Sequence, residues 1–158
     1  MSTLFEALLT QSHHGQPLTV REVSRFTATE IRQTIADLVG AQHMGLADAL
    51  SAAGLSLYPK SEEILTISAL LAEIKQDWTT AEQLLKQLIA QQGAQASPSS
   101  WRHLIRVMRC QCEPGQALHL AQKAMAAHPN DTVLQDEYRA LQKLVSDQVP
   151  LPSSTRIH

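Results

Sequence analysis

The residues best equipped for chemistry are few, and their spacing does not suit it. Cys110 and Cys112 stand two positions apart, with His103 and His119 nearby. A structural zinc site spaces its cysteines more widely and completes its tetrahedron with a second ligand pair, so this cluster is read as carrying no metal. A disulfide across so short a separation would be strained and would close almost no loop, so both thiols are expected to be reduced. The seven histidines, at 13, 14, 43, 103, 119, 128 and 158, include no i, i+4 pair of the kind that holds a metal on a helix. His13 and His14 are direct neighbours, whose side chains diverge in any regular structure. The glycines are dispersed, and neither a phosphate-cradling loop nor a Gly-x-Ser-x-Gly elbow occurs. Glu62-Glu63 sits where a helix would start, a place where carboxylates complement the helix dipole. No catalytic residue, metal or cofactor is expected, and the chain is read as a non-enzyme.

One charged pattern remains. Arg102, Arg106 and Arg109 recur at i, i+4, i+7. On a helix, three guanidiniums on one stripe repel mildly unless something acidic lies opposite. Glu73 or Glu137 would serve as internal partners; otherwise the stripe suits an acidic ligand, because a guanidinium grips a carboxylate with two parallel hydrogen bonds. Nucleic acid fits poorly, given a formal net charge of −2 and only 4% aromatic residues.

The elements that must position these residues follow from composition and period. Apolar residues make up 44% and charged residues 18% of 158, a globular composition. With so few aromatics the core must be built of Leu, Ile, Val, Ala and Met, which suits packed helices. No apolar run is long enough to cross a bilayer, and Met1–Gln11 lacks a cationic leader region. A cytoplasmic location without membrane insertion is expected.

Three segments share one shape. Ala47–Pro59, Ala81–Gly93 and Ala117–Pro129 each start at an alanine, continue as an apolar helix and end at a helix-stopping residue, with spacings of 34 and 36. The two extra residues fit in the Gly/Ser/Pro-rich stretch Gly93–Ser100. Upstream of each alanine runs a second i, i+3, i+4, i+7 stripe: Ile31, Thr34, Ile35, Leu38; Leu65, Ser68, Ala69, Ala72; Trp101, Leu104, Ile105, Met108. The chain therefore reads as helical hairpins near 28–61, 62–95 and 98–131, with turns at Gln42–Gly45, Gln76–Trp78 and Cys112–Gly115. Thr132–Val145 is a further amphipathic helix, capped by Asn130 or Asp131. Leu4–Leu9 is a short helix, 1–27 an N-terminal helix and linker, 28–147 the repeat domain, and 148–158 a frayed tail.

With Trp101-x2-Leu104, Ala117 and Pro129 in the third hairpin, Asp77-Trp78 and Ala81 in the second, and Ala47 and Pro59 in the first, residues 28–131 resemble the tetratricopeptide repeat family. The resemblance implies an all-α, right-handed solenoid of three helical hairpins, with a C-terminal capping helix and a short N-terminal helix. It also implies that the first helices line a concave groove, whose facing residues would include Arg32, Glu63, Ile67, Leu70, Ile74, Arg102, His103, Arg106 and Arg109. The expected function is protein–protein interaction: an adaptor or chaperone holding a partner segment with acidic and apolar residues. In size and plan the chain is similar to the small tetratricopeptide chaperones of bacterial secretion systems. An obligate subunit of a larger assembly is the alternative. Leu4, Phe5, Leu8 and Leu9 either cover the first hairpin or form a homodimer, and Ile67, Leu70 and Ile74 either join the core or floor the groove.

Overall fold

The computed structural model describes residues 3–13 and 19–148. Their regular elements are α1 (Thr3–His13), α2 (Val20–Val23), α3 (Ala28–Gly40), α4 (Met44–Leu57), α5 (Glu62–Ile74), α6 (Trp78–Gln92), a 3-10 turn at Gly93–Gln95, α7 (Pro98–Cys110), α8 (Pro114–Ala127) and α9 (Thr132–Gln148). Among the described residues there is no strand, so the expected all-α hairpin plan is what the chain adopts. The tail beyond 148 lies outside the described residues.

Among the described residues six helices, α2, α3, α5, α6, α7 and α9, open on the same device, and four of these caps keep a repeating register. The side-chain oxygens of Thr27, Ser61, Ser97 and Asp131 accept from the backbone N–H three residues on, at 3.2, 3.4, 3.2 and 2.9 Å. Each satisfies one of the donors a helix start leaves unpaired, a contribution of about 1 kcal/mol per cap. The four caps are spaced by 34, 36 and 34 residues. By this register α9 stands where a fourth first helix would stand. Asp131, not Asn130, makes its cap.

The turns between first and second helices also repeat. Gln42, Gln76 and Cys112 have φ of 64, 59 and 60°, a left-handed conformation that costs a residue with a Cβ. In each case the following N–H reaches back to close the end of the first helix: His43 to Leu38 at 2.8 Å, Asp77 to Ala72 at 2.9 Å, Glu113 to Met108 at 3.0 Å. The turns are tighter than the sequence suggests. Gly45 and Gly115 lie in the first turns of α4 and α8, and Pro114 is a helix-starting residue rather than a turn residue. A proline fits there because a first-turn N–H has no partner to lose. Likewise Gly93–Ser100 is not all loop, since a 3-10 turn and the start of α7 take most of it.

A third device ties each hairpin's end to its start. The Tyr58 hydroxyl donates to the carbonyl of Phe26 at 2.7 Å, and His128 Nε2 to that of Ala96 at 2.7 Å. In the middle hairpin the Gln91 amide donates to the carbonyl of Lys60. Phe26, Lys60 and Ala96 each stand just before an N-cap, so the three contacts are equivalent.

The helices form two compact units, Met1–Gln91 and Gln92–His158. In the first, α3 packs on α4 and α5, α4 packs on α5, and α1 and α2 add to α3 and α4. Its core joins Ile31, Ile35, Leu38, Leu50 and Ile64 to Leu4, Phe5 and Leu8 of α1. The N-terminal helix therefore covers the first hairpin with its apolar face. Burying each such side chain contributes about 1.5–3 kcal/mol. Gly54 lets α4 approach closely, because a Cβ there would meet Ile31 Cγ2 at 3.1 Å. Beside it Ser51 donates to Ser68 at 2.7 Å within the core. In the second unit α8 lies against α7 and α9. Its buried face is Ala117, Ala121 and Ala124, small enough for Leu104, Ile105, Met108, Leu134 and Leu141 to fill the core around it.

Candidate functional site

Each unit carries a cleft lined by two of the four helices capped in that register. In the first unit it runs along α3 and α5, encloses about 320 Å³, and is lined by Arg32, Glu62, Glu63, Thr66, Ile67 and Leu70. The i, i+4, i+7 relation of Glu63, Ile67 and Leu70 puts them on one stripe of α5. Arg32 approaches from α3, and Thr29 of α3 donates to the Glu63 carboxylate at 2.8 Å. Ile67 and Leu70 are half-buried, and Ile67 rests on the core. Ile67 thus packs against the core and lines the cleft as well.

In the second unit a cleft of about 440 Å³ is lined by Arg106, Arg109, Cys110, Cys112, Pro114, Leu144 and Gln148. Helix α7 presents the guanidiniums, and the C-terminal end of α9 supplies the opposite wall. Arg109 Nη1 donates to Glu137 of α9 at 2.7 Å, with side chains 46% and 27% exposed. An ion pair this open contributes roughly 0–1 kcal/mol, so it holds the arginine without locking it. Both thiols are free and exposed. Among the described residues no group of three or more His, Cys, Asp and Glu is placed to hold a metal ion.

Of the nine residues expected to face a groove, Arg32, Glu63, Ile67 and Leu70 come together in the first cleft, and Arg106 and Arg109 in the second. Ile74, the last residue of α5, is 58% exposed and lines neither. Arg102 is exposed and His103 half-buried on α7. The second cleft also takes in Leu144 and Gln148, because α9 takes the place of a first helix, and Cys110 and Cys112 from the end of α7 and the turn after it. The 34-residue recurrence of Ser97 as Asp131 is the sequence signal that carries this.

Residues 47–141 match the family model described as tetratricopeptide repeat. No curated protein sequence matches the chain. Among solved structures, the chain is similar to one described as the first TPR of Spaghetti (RPAP3) bound to HSP90 peptide SRMEEVD, with a TM-score of 0.64 at 12% identity over 75% of this chain and 93% of that one. It is also similar to the Sgt2 TPR domain from Aspergillus fumigatus, with a TM-score of 0.63 at 11% identity over 83% of this chain and 90% of that one. The hairpin register, the repeated caps and turns, and a family match over more than half its length lead to one conclusion: the chain belongs to the tetratricopeptide repeat family.

Proposed function

We propose that this protein is a non-enzymatic interaction module, an adaptor or chaperone that holds a segment of a partner protein against its first helices. The observation that carries this reading is the α3–α5 cleft, where one cation, the carboxylates of Glu62 and Glu63 and two half-buried apolar side chains share about 320 Å³. That mix of an apolar floor with a few placed polar groups is what a peptide site needs. The RPAP3 repeat gives a precedent within the fold, since its bound peptide, SRMEEVD, combines acidic with apolar residues. The expected groove set is Arg32, Glu63, Ile67, Leu70, Ile74, Arg102, His103, Arg106 and Arg109. Affinity capture from the native host identifies the partner. Capture should be lost when Arg32 and Leu70 are replaced by Glu and Gln, or when Arg102, Arg106 and Arg109 are replaced by Glu. Undiminished capture by both variants, with helical content intact, would refute the reading. Capture of a secreted substrate would place the protein with the secretion chaperones it resembles in plan.

A second reading, an obligate subunit of a larger assembly, draws on the exposed Val20, Ile74, Val133 and Leu144. Light scattering on the purified chain separates the two: a stable monomer supports the adaptor, and aggregation relieved by a co-expressed partner supports the subunit. A homodimer would have to form through surfaces other than Leu4, Phe5 and Leu8, which the chain's own core occupies.

A further inference from the structure

We infer that Cys110 is a modification site, where a small thiol bearing two carboxylates attaches as a mixed disulfide and the α7–α9 cleft holds its charged ends. The inference is independent of the partner-binding reading above. Both cysteines of the chain are free and exposed. Both line the same cleft of about 440 Å³, a size within the range of small-molecule sites, about 300–1,000 Å³. Cys110 is the last residue of α7, and Arg106 stands four residues before it on the same helix face. Arg109 lines the cleft as well, and Pro114 and Leu144 give it an apolar wall. Glu137 positions Arg109 without using it up: the carboxylate accepts from Nη1 at 2.7 Å, and a guanidinium carries five N–H donors. With both side chains of that pair partly exposed, the contact is weak enough for a second carboxylate to share the guanidinium.

The chemistry is thiol–disulfide exchange with the symmetric disulfide of the small thiol. The Cys110 thiolate attacks one sulfur of that disulfide. A new S–S bond forms as the old one breaks, and the second half leaves as a thiolate, which takes up the proton that Cys110 gave up. The oxidising equivalent comes entirely from the incoming disulfide. The ligand class follows from the cleft. A thiol on open surface accepts any disulfide that reaches it. Beside two guanidiniums, a group with a carboxylate on either side of its sulfur gains charge-assisted hydrogen bonds that a neutral group lacks. Cys112 occupies the left-handed turn position at φ 60°. A bridge between residues two apart would be strained, which holds back the ring closure that would expel the attached thiol.

The probe is glutathione, a tripeptide thiol with two carboxylates, compared with uncharged 2-mercaptoethanol. The purified chain is equilibrated with each thiol and its disulfide at set ratios and quenched in acid, and the adduct on each cysteine is quantified by peptide mass spectrometry. The exchange constant at Cys110 should be about tenfold larger for glutathione than for 2-mercaptoethanol, the gain expected of two open ion pairs. In R106Q/R109Q that preference should fall to about twofold or less, with the 2-mercaptoethanol constant unchanged. It should persist in C112S and in R139Q, which removes an exposed charge of α9 outside the cleft lining. In the parent chain it should shrink as salt approaches about 1 M, where screening acts within about 3 Å. Equal constants for the two thiols in the parent would overturn the inference, as would a preference that ignores salt or survives in R106Q/R109Q. An internal Cys110–Cys112 disulfide with no glutathione retained would overturn it too.

Discussion

Gln42, Gln76 and Cys112 adopt left-handed conformations at φ of 64, 59 and 60°. A Cβ in this region costs about 1–2 kcal/mol. Glycine removes that cost but gains about 0.4–1 kcal/mol of unfolded-chain freedom, so each substitution by Gly should stabilise the fold by roughly 0.5–1 kcal/mol. The reach-back hydrogen bonds of His43, Asp77 and Glu113 come from the next residue and are untouched. For a chain of this length about 1 kcal/mol corresponds to about 2–4 °C in Tm, measured by far-ultraviolet circular dichroism. Ala41, one position earlier and at φ of −85°, supplies the control: Ala41→Gly should lower stability by about 0.5–1 kcal/mol. The reasoning fails if the three Gly variants melt at or below the parent temperature, or if Ala41→Gly matches them.

Further outcomes follow from the same contacts. Ser51→Ala or Ser68→Ala strands one buried hydroxyl of a 2.7 Å pair and should cost about 1–2 kcal/mol in urea unfolding. The double variant should cost less than either single change, because neither group is left unpaired. Tyr58→Phe deletes the hydroxyl bonded to Phe26 at 2.7 Å and should lose about 1 kcal/mol. Gly54→Leu forces a side chain against Ile31 and Ile64 and should cost about 1–3 kcal/mol or more, whereas Gly45, with nothing near its Cα substituent direction, should accept Ala without loss. Hydrogen bonds from the Thr80 side chain and then its backbone N–H hold the Asp77 carboxyl below the usual carboxylate range. A depressed folded-state value means that its capping contribution is present above the unfolded value and fades as pH falls through the folded one. Stability of the parent relative to Asp77→Asn should therefore decline below about pH 4.

The hairpins were legible because apolar stripes, leading alanines and helix stops recur together, and packing of helices demands that recurrence. The turn details were not. Pro114-Gly115 carries the composition of a turn, yet proline is equally at home in a helix's first turn, and the backbone reversal falls on Cys112, a residue type with no preference for it. The two roles open to Leu4, Phe5 and Leu8 look alike in sequence, because an apolar stripe does not say whether its cover comes from the same chain. The arginine stripe was visible, but not its surroundings. Reading Thr132–Val145 only as a cover for the last hairpin hid its second role, which depends on Asp131 repeating the cap register of Thr27, Ser61 and Ser97. Arg109 illustrates the remaining gap: both of its weighed roles involve a carboxylate, and only the fold brings Glu137 to 2.7 Å.

The most direct test of partner holding by the first helices is hydrogen–deuterium exchange on the chain alone and in complex with its captured partner. The account predicts added protection concentrated in α3, α5, α7 and α9, with α4, α6 and α8 unchanged. Protection concentrated instead in α4, α6 and α8, with the first helices unaffected, would contradict it.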